Sequence, residues 1–243
     1  MHKQYWWILV IYILMQLSGI IGLPLLYALR LTDEIASIQA IALWSLISFA
    51  AALIPILILT NKTKEYPFQS RDRMPLGMSI AWVVFGVFLA FFVQGIAGLI
   101  EMALFDIETG SENTKQLVEI AKSFPAFFAV FIIIGPILEE IVFRKVIFGA
   151  LYKRFNFWIS VLISSFIFGI VHGELEHLLI YTSMGATFAF LYIKTKRLLV
   201  PIITHIVMNA FATLVTLNYD KIIDLEKEIR ELEQHMQIIM GGL

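Results

Sequence analysis

Two adjacent carboxylates interrupt an apolar run, Gly135-Pro-Ile-Leu-Glu139-Glu140-Ile-Val-Phe-Arg144. A charge at the centre of a bilayer costs at least about 2.5–3.5 kcal/mol, so partners or water must relieve it. Glu140 and Arg144 are spaced i,i+4 with the acid first, the favourable order for an ion pair on one helix face. Glu139 lies about 100° around the helix from Glu140 and has no such partner. Glu140 and Arg144 therefore read as structural, and Glu139 as the carboxylate left free for acid–base chemistry. The blander alternative is a helix ending near Leu138, with both acids at a wet interface.

Two further polar sets lie in apolar surroundings. Phe168-Gly-Ile-Val-His172 carries one histidine beside Ser165, Gly169 and Gly173, small residues repeating every four positions. Such a face lets a neighbouring backbone approach closely, so His172 should point to another helix, as a hydrogen-bonded packing residue or a functional one. Glu174, Glu176 and His177 follow and read as a solvated turn. His205-Ile-Val-Met-Asn209 sets two hydrogen-bonding side chains on one helix face. Together they could hold a developing oxyanion; singly they would serve as packing contacts between helices.

The elements that must position these groups are membrane spans. Of the 243 residues, 59% are hydrophobic and 15% charged, and the mean hydropathy is +0.83. Soluble domains average about 45–50% apolar and about 25% charged, so lipid must serve as part of the solvent. A net charge of −1 leaves no phosphate-binding surface, which argues against nucleic acid as a partner. Cysteine is absent, which removes disulfides, thiolate zinc sites and cysteine nucleophiles.

Stretches of about 20 apolar residues span the hydrocarbon core. Seven qualify or nearly do: 5–29, 35–59, 77–100, 126–151, 157–173, 177–193 and 198–217. The fold expected is an all-α, polytopic bundle over 1–218, followed by an amphipathic helix over 219–243. Of the 18 Lys and Arg residues, 12 fall in the amino-terminal tail and the alternate loops after it. That bias puts the amino terminus in the cytoplasm and the tail outside. The segment 101–123 reads as a long acidic loop. In the tail, Ile222, Leu225, Ile229, Leu232, Met236 and Ile239 recur at spacings of three and four. This heptad pattern suits either a homodimer through 222–239 or a helix lying on the bilayer.

The three patterns Glu-Glu-x-x-x-Arg, Phe-x-x-x-His and His-x-x-x-Asn occur in that order on three helices. Together they resemble the CAAX-prenyl protease and bacteriocin-processing (CPBP) family of intramembrane peptidases over about 124–217, with the likeness strongest to small bacterial membrane peptidases. The resemblance implies that Glu139 is the catalytic glutamate and His172 its partner in activating water. It implies that His205 and Asn209 hold the transition state, and that Glu140 and Arg144 stabilise the helix. It further implies a multi-pass protein of the bacterial cytoplasmic membrane. Its substrates would be prenylated carboxyl-terminal peptides, leader peptides or other membrane proteins.

A carboxylate in a low-dielectric cavity becomes a better base near neutrality. Glu139 could then take a proton from water and pass it to the leaving nitrogen. No cofactor is expected on this reading. The rival is a zinc site made by Glu139, His172 and His205 with water as fourth ligand, although no HExxH motif supports it. GxGD and GxSxG are likewise missing, so aspartyl and serine intramembrane mechanisms lack their groups. A proton-coupled transporter and a catalytically silent membrane scaffold remain as non-enzymatic alternatives.

Overall fold

The computed structural model describes residues 3–35, 37–63, 68, 70–107, 110–219, 221–222, 224, 227–230, 232–233 and 236. Among them there are helices and no strands. Four helices are long and apolar enough to cross a membrane, and a bent pair makes a fifth. The described residues thus form an all-helical, multi-pass membrane protein. The seven expected stretches are all helical, but three depart from simple spans.

The first stretch is two helices, α1 (Lys3–Leu17) and α2 (Gly19–Ala28), bent by 48° at Ser18. Pro24 lies inside α2 and leaves the Ile20 carbonyl, two residues beyond the bend, without its helix hydrogen bond. Trp44 fastens the corner: its indole Nε1 donates to Ser18 Oγ at 2.9 Å. The indole plane lies where a Cβ on Gly22 would stand, 1.8 Å from the nearest ring atom. Next come α3 (Ile38–Lys62), started by Ser37 accepting from the Ala40 N–H, and α4 (Leu76–Phe105), ended by left-handed Asp106.

The expected loop 101–123 is mostly helix. The α4 helix runs through Phe105, and α5 (Glu112–Ser123) follows. Its polar composition disguised an N-cap, since Ser111 Oγ accepts from the Thr114 N–H. Val118 and Ala121 are its buried side.

The fourth expected span is a composite helix, α6 (127–152). Two wide π turns, Val130–Ile134 and Glu140–Phe148, alternate in it with α-helical pieces. Pro136 offers no N–H to the ladder, and the first π turn ends two residues before it. Such turns recur at functional sites because they re-aim side chains and free backbone groups.

The fifth stretch, α7 (Phe157–Val171), has 15 residues, short for a crossing. It lies against α8 (Leu178–Thr195), and α9 (Leu199–Leu217) completes the bundle. Two of the three expected small residues make the α7–α8 approach. A Cβ on Gly185 would stand 2.9 Å from the Ser165 Cα, and one on Gly169 2.8 Å from Thr182 Oγ1. Gly173 does not take part; it is a turn residue at φ +78°.

One apolar core joins α1, α3 and α6 around Tyr5, Ile8, Ile56, Leu138 and Phe143. Another joins α4, α8 and α9 around Ala90, Phe188, Leu191 and Met208. Large apolar side chains such as Ile20, Phe88 and Trp158 cover the outside, as a lipid-facing surface requires. In the tail, heptad positions Leu225 and Ile239 lie outside the described residues.

Candidate active site

The second π turn of α6 places Glu140 and Arg144 wholly inside the protein, with Arg144 Nε 3.0 Å from Glu140 Oε2. The approach is close but misaligned, since Glu140 Oε2 and all three guanidinium nitrogens lack a hydrogen-bond partner. Aromatic faces supply the rest of the cation's surroundings. The guanidinium carbon lies 4.5 Å from the Phe168 ring centroid and 5.4 Å from that of Phe188. Charge pairing and two π faces thus hold the cation.

The α9 helix delivers His205 to the same point, stacked on Phe188 with centroids 4.8 Å apart. Its Nδ1 is 3.1 Å from Glu140 Oε1, and its Nε2 is 3.8 Å from Glu139 Oε2. A carboxylate only accepts, so the proton sits on Nδ1 in the neutral ring, and Nε2 donates only in the imidazolium. Glu139 is the least buried of this group, 23% exposed against 0% for Glu140 and Arg144.

His172 caps the end of α7. Its Nδ1 lies 2.7 Å from the Phe168 carbonyl. The carbonyl can only accept, so Nδ1 carries the proton and Nε2 keeps a free lone pair. Tyr181 stacks on the ring at 4.1 Å. His172 interacts electrostatically with Glu139 and His205. Asn209 lies one turn along α9 from His205, and its Nδ2 donates to the Phe131 carbonyl at 3.0 Å. That carbonyl belongs to the first π turn, where the helix ladder is widened. One amide hydrogen and the Oδ1 of Asn209 remain for other partners.

Glu139 and His205 are therefore brought into contact, His172 faces them electrostatically, and Asn209 is braced against the same helix. Among the described residues, no group of three or more His, Asp or Glu side chains is placed to hold a metal ion.

The sequence reading missed two features. Tyr12 of α1, far from the three patterns, is buried, interacts electrostatically with Glu139 and takes a hydrogen bond from Gln16 Nε2 at 3.3 Å. The other is the supposed solvated turn, which is a polar latch. His177 is 8% exposed, with Nδ1 2.8 Å from Glu101 Oε2. Glu174 accepts from Tyr181 Oη at 2.5 Å, Ser111 Oγ at 2.8 Å and the Asn113 N–H at 2.6 Å. Burial works against the Glu174 charge, but hydrogen bonds from Tyr181, Asn113 and Ser111 outweigh it and hold the carboxyl below its ordinary range. Burial likewise opposes the His177 cation, and the bond to Glu101 raises its pKa above the usual value in spite of it. A signal was available: Glu101 is the lone charge in the run Gly98-Leu-Ile-Glu-Met-Ala-Leu-Phe105.

Residues 121–211, which hold all six site residues, match the family described as type II CAAX prenyl endopeptidase Rce1-like. A protein of Bacillus subtilis (strain 168) named "Putative membrane peptidase YdiL" is 45% identical over 100% of this chain and 99% of its own length. The "Membrane-embedded CAAX protease MroQ" of Staphylococcus aureus (strain USA300) is 33% identical over 86% of this chain and 87% of its own. No solved structure matches the chain. The chain belongs to the Rce1-like CAAX protease (CPBP) family of membrane peptidases.

Proposed function

We propose that this protein is an intramembrane endopeptidase of the bacterial cytoplasmic membrane, cleaving membrane-associated peptides or proteins with a water activated by Glu139. The observation that carries this reading is the contact of His205 Nε2 with Glu139 Oε2 at 3.8 Å, with His205 anchored from behind by Glu140. A base and a potential donor then flank one partly open space.

Water in that space gives a proton to Glu139 while its other hydrogen bonds to the free Nε2 lone pair of His172. Attack on the peptide carbonyl builds an oxyanion. Cationic His205, through Nε2, and the unused amide hydrogen of Asn209 donate to it. Glu139 returns its proton to the leaving nitrogen, completing hydrolysis. The mechanism uses no metal. All seven helical stretches cross the bilayer on this reading, with α7 and the bent α1–α2 pair as the short and broken spans. The tail residues 222–239 supply a surface for a second copy. A single Glu228→Cys in this cysteine-free chain tests it by cross-linking.

The deciding experiment reconstitutes wild-type and Glu139→Gln protein in liposomes with membrane peptides extracted from the source cells, and identifies products by mass spectrometry. Cleavage by wild type alone, unchanged by a metal chelator, is expected. Equal cleavage by Glu139→Gln would refute the glutamate mechanism, and loss on chelation would favour the zinc form. Absence of cleavage by both, with Glu139→Ala retaining function in cells, would favour a silent scaffold.

A further inference from the structure

The three patterns explain what His172 faces but not what fixes its ring. One constraint is the 2.7 Å bond from Nδ1 to the Phe168 carbonyl, which leaves rotation about that bond open. Phe168 meets the ring at 60°, edge-on, with centroids 4.5 Å apart. The flat contact comes from Tyr181 of α8, 4.1 Å away and only 23° from parallel.

Tyr181 is itself fixed. Its hydroxyl donates to Glu174 Oε2 at 2.5 Å and lies 3.2 Å from Ser111 Oγ. The same carboxylate takes Ser111 Oγ and the Asn113 N–H from the start of α5. A chain of contacts thus runs from the first turn of α5 through Glu174 and Tyr181 to the imidazole.

We propose that Tyr181 is a positioning residue for His172, and that Glu174 holds Tyr181 in place by binding the start of α5. The stack and the Phe168 carbonyl together present the Nε2 lone pair to the space beside Glu139. This inference adds to the peptidase reading the group that orients its second base, but its geometry can be tested without any substrate.

The test follows His172 in the full-length protein in detergent micelles. Imidazole nitrogens are observed by NMR after ¹⁵N-histidine labelling, with His172→Gln assigning the signal. Diethyl pyrocarbonate reactivity of His172 is read in parallel by mass spectrometry. Wild type should show one fixed tautomer with Nδ1 protonated. Tyr181→Leu should average the tautomers and speed modification about fivefold, as loss of an aromatic contact implies. Tyr181→Trp should restore both readouts towards wild type. Tyr181→Phe keeps the stack but drops the anchor, so it should speed modification about twofold, and Glu174→Gln should do the same. If Tyr181→Leu does not fold, Tyr181→Phe decides. An unchanged tautomer and unchanged reactivity in the folded variants would overturn the proposal. Failure of the peptidase reading would show separately, as a wild-type protein with an ordered His172 and no cleavage.

Discussion

His205 hydrogen-bonds to Glu140 and reaches Glu139 only at contact distance: its Nδ1 is 3.1 Å from the inner carboxylate, and its Nε2 is 3.8 Å from the outer one. The inner acid sets the ring's direction, and on the proposed mechanism it is the outer acid that binds water. Two neighbouring residues of one type thereby take opposite duties. His205→Phe should keep the stack on Phe188 and lose only the nitrogens. Cleavage should fall by about 10²–10³, while stability should drop by only the about 1–3 kcal/mol that losing the bond to buried Glu140 Oε1 implies, both measured in the same liposome preparation.

Buried pairing makes Glu140 a stability residue. Glu140→Gln leaves the Arg144 cation inside with two π faces and the Glu139 charge but without its paired carboxylate, which should cost about 3–5 kcal/mol. The joint change Glu140→Leu with Arg144→Met removes both charges and should cost less than either single change. Reversible unfolding in mixed detergent reads both. A single Glu140→Gln as stable as wild type would show that the guanidinium does not need its paired carboxylate.

The Glu101–His177 contact predicts a pH dependence with a definite sign. The folded state raises the His177 pKa above its ordinary value of about 6.5. Its contribution is therefore full below that value and is lost as pH rises through the folded pKa. Thermal stability followed from pH 6 to pH 9 should decline in wild type and stay flatter in His177→Gln. Protection of the α5 amide hydrogens, measured by exchange mass spectrometry, should decline over the same range.

Helix approach gives a steric prediction. In Gly185→Ala the new methyl would meet the Ser165 backbone at 2.9 Å, and overpacking of this kind costs about 1–3 kcal/mol. Gly95 has no atom within 4 Å of its would-be Cβ. Gly95→Ala should therefore be neutral or slightly stabilising, and it controls for helix propensity in the same unfolding assay.

The site's composition was legible in the sequence, but its pitch was not. Glu139, Glu140 and Arg144 stand out because charge is scarce around them, and His172, His205 and Asn209 for the same reason. Counting residues assumed one regular α-helix through 126–151. The first π turn is accompanied by Pro136 just beyond it and by the bond from Asn209 to the Phe131 carbonyl, partners 78 positions apart. The latch escaped for a similar reason. Glu101 and His177 are 76 residues apart, and each looks solvated in its own neighbourhood. The bond that fastens the bend in the first stretch likewise joins Ser18 and Trp44, 26 apart.

A π turn is an α-helix with one residue too many, so the register of α6 is itself stored information. Deleting a single residue between Val130 and Ile134 would let that turn close to ordinary pitch with Glu139 still on its face, but would draw the Phe131 carbonyl back into the ladder and away from Asn209. Deleting one between Gly135 and Leu138, a regular piece with no extra residue to give up, would swing Glu139 by about 100° away from His205 with every site side chain still encoded. The same one-codon loss is thus absorbed in one turn of this helix and takes the carboxylate out of the site in the next.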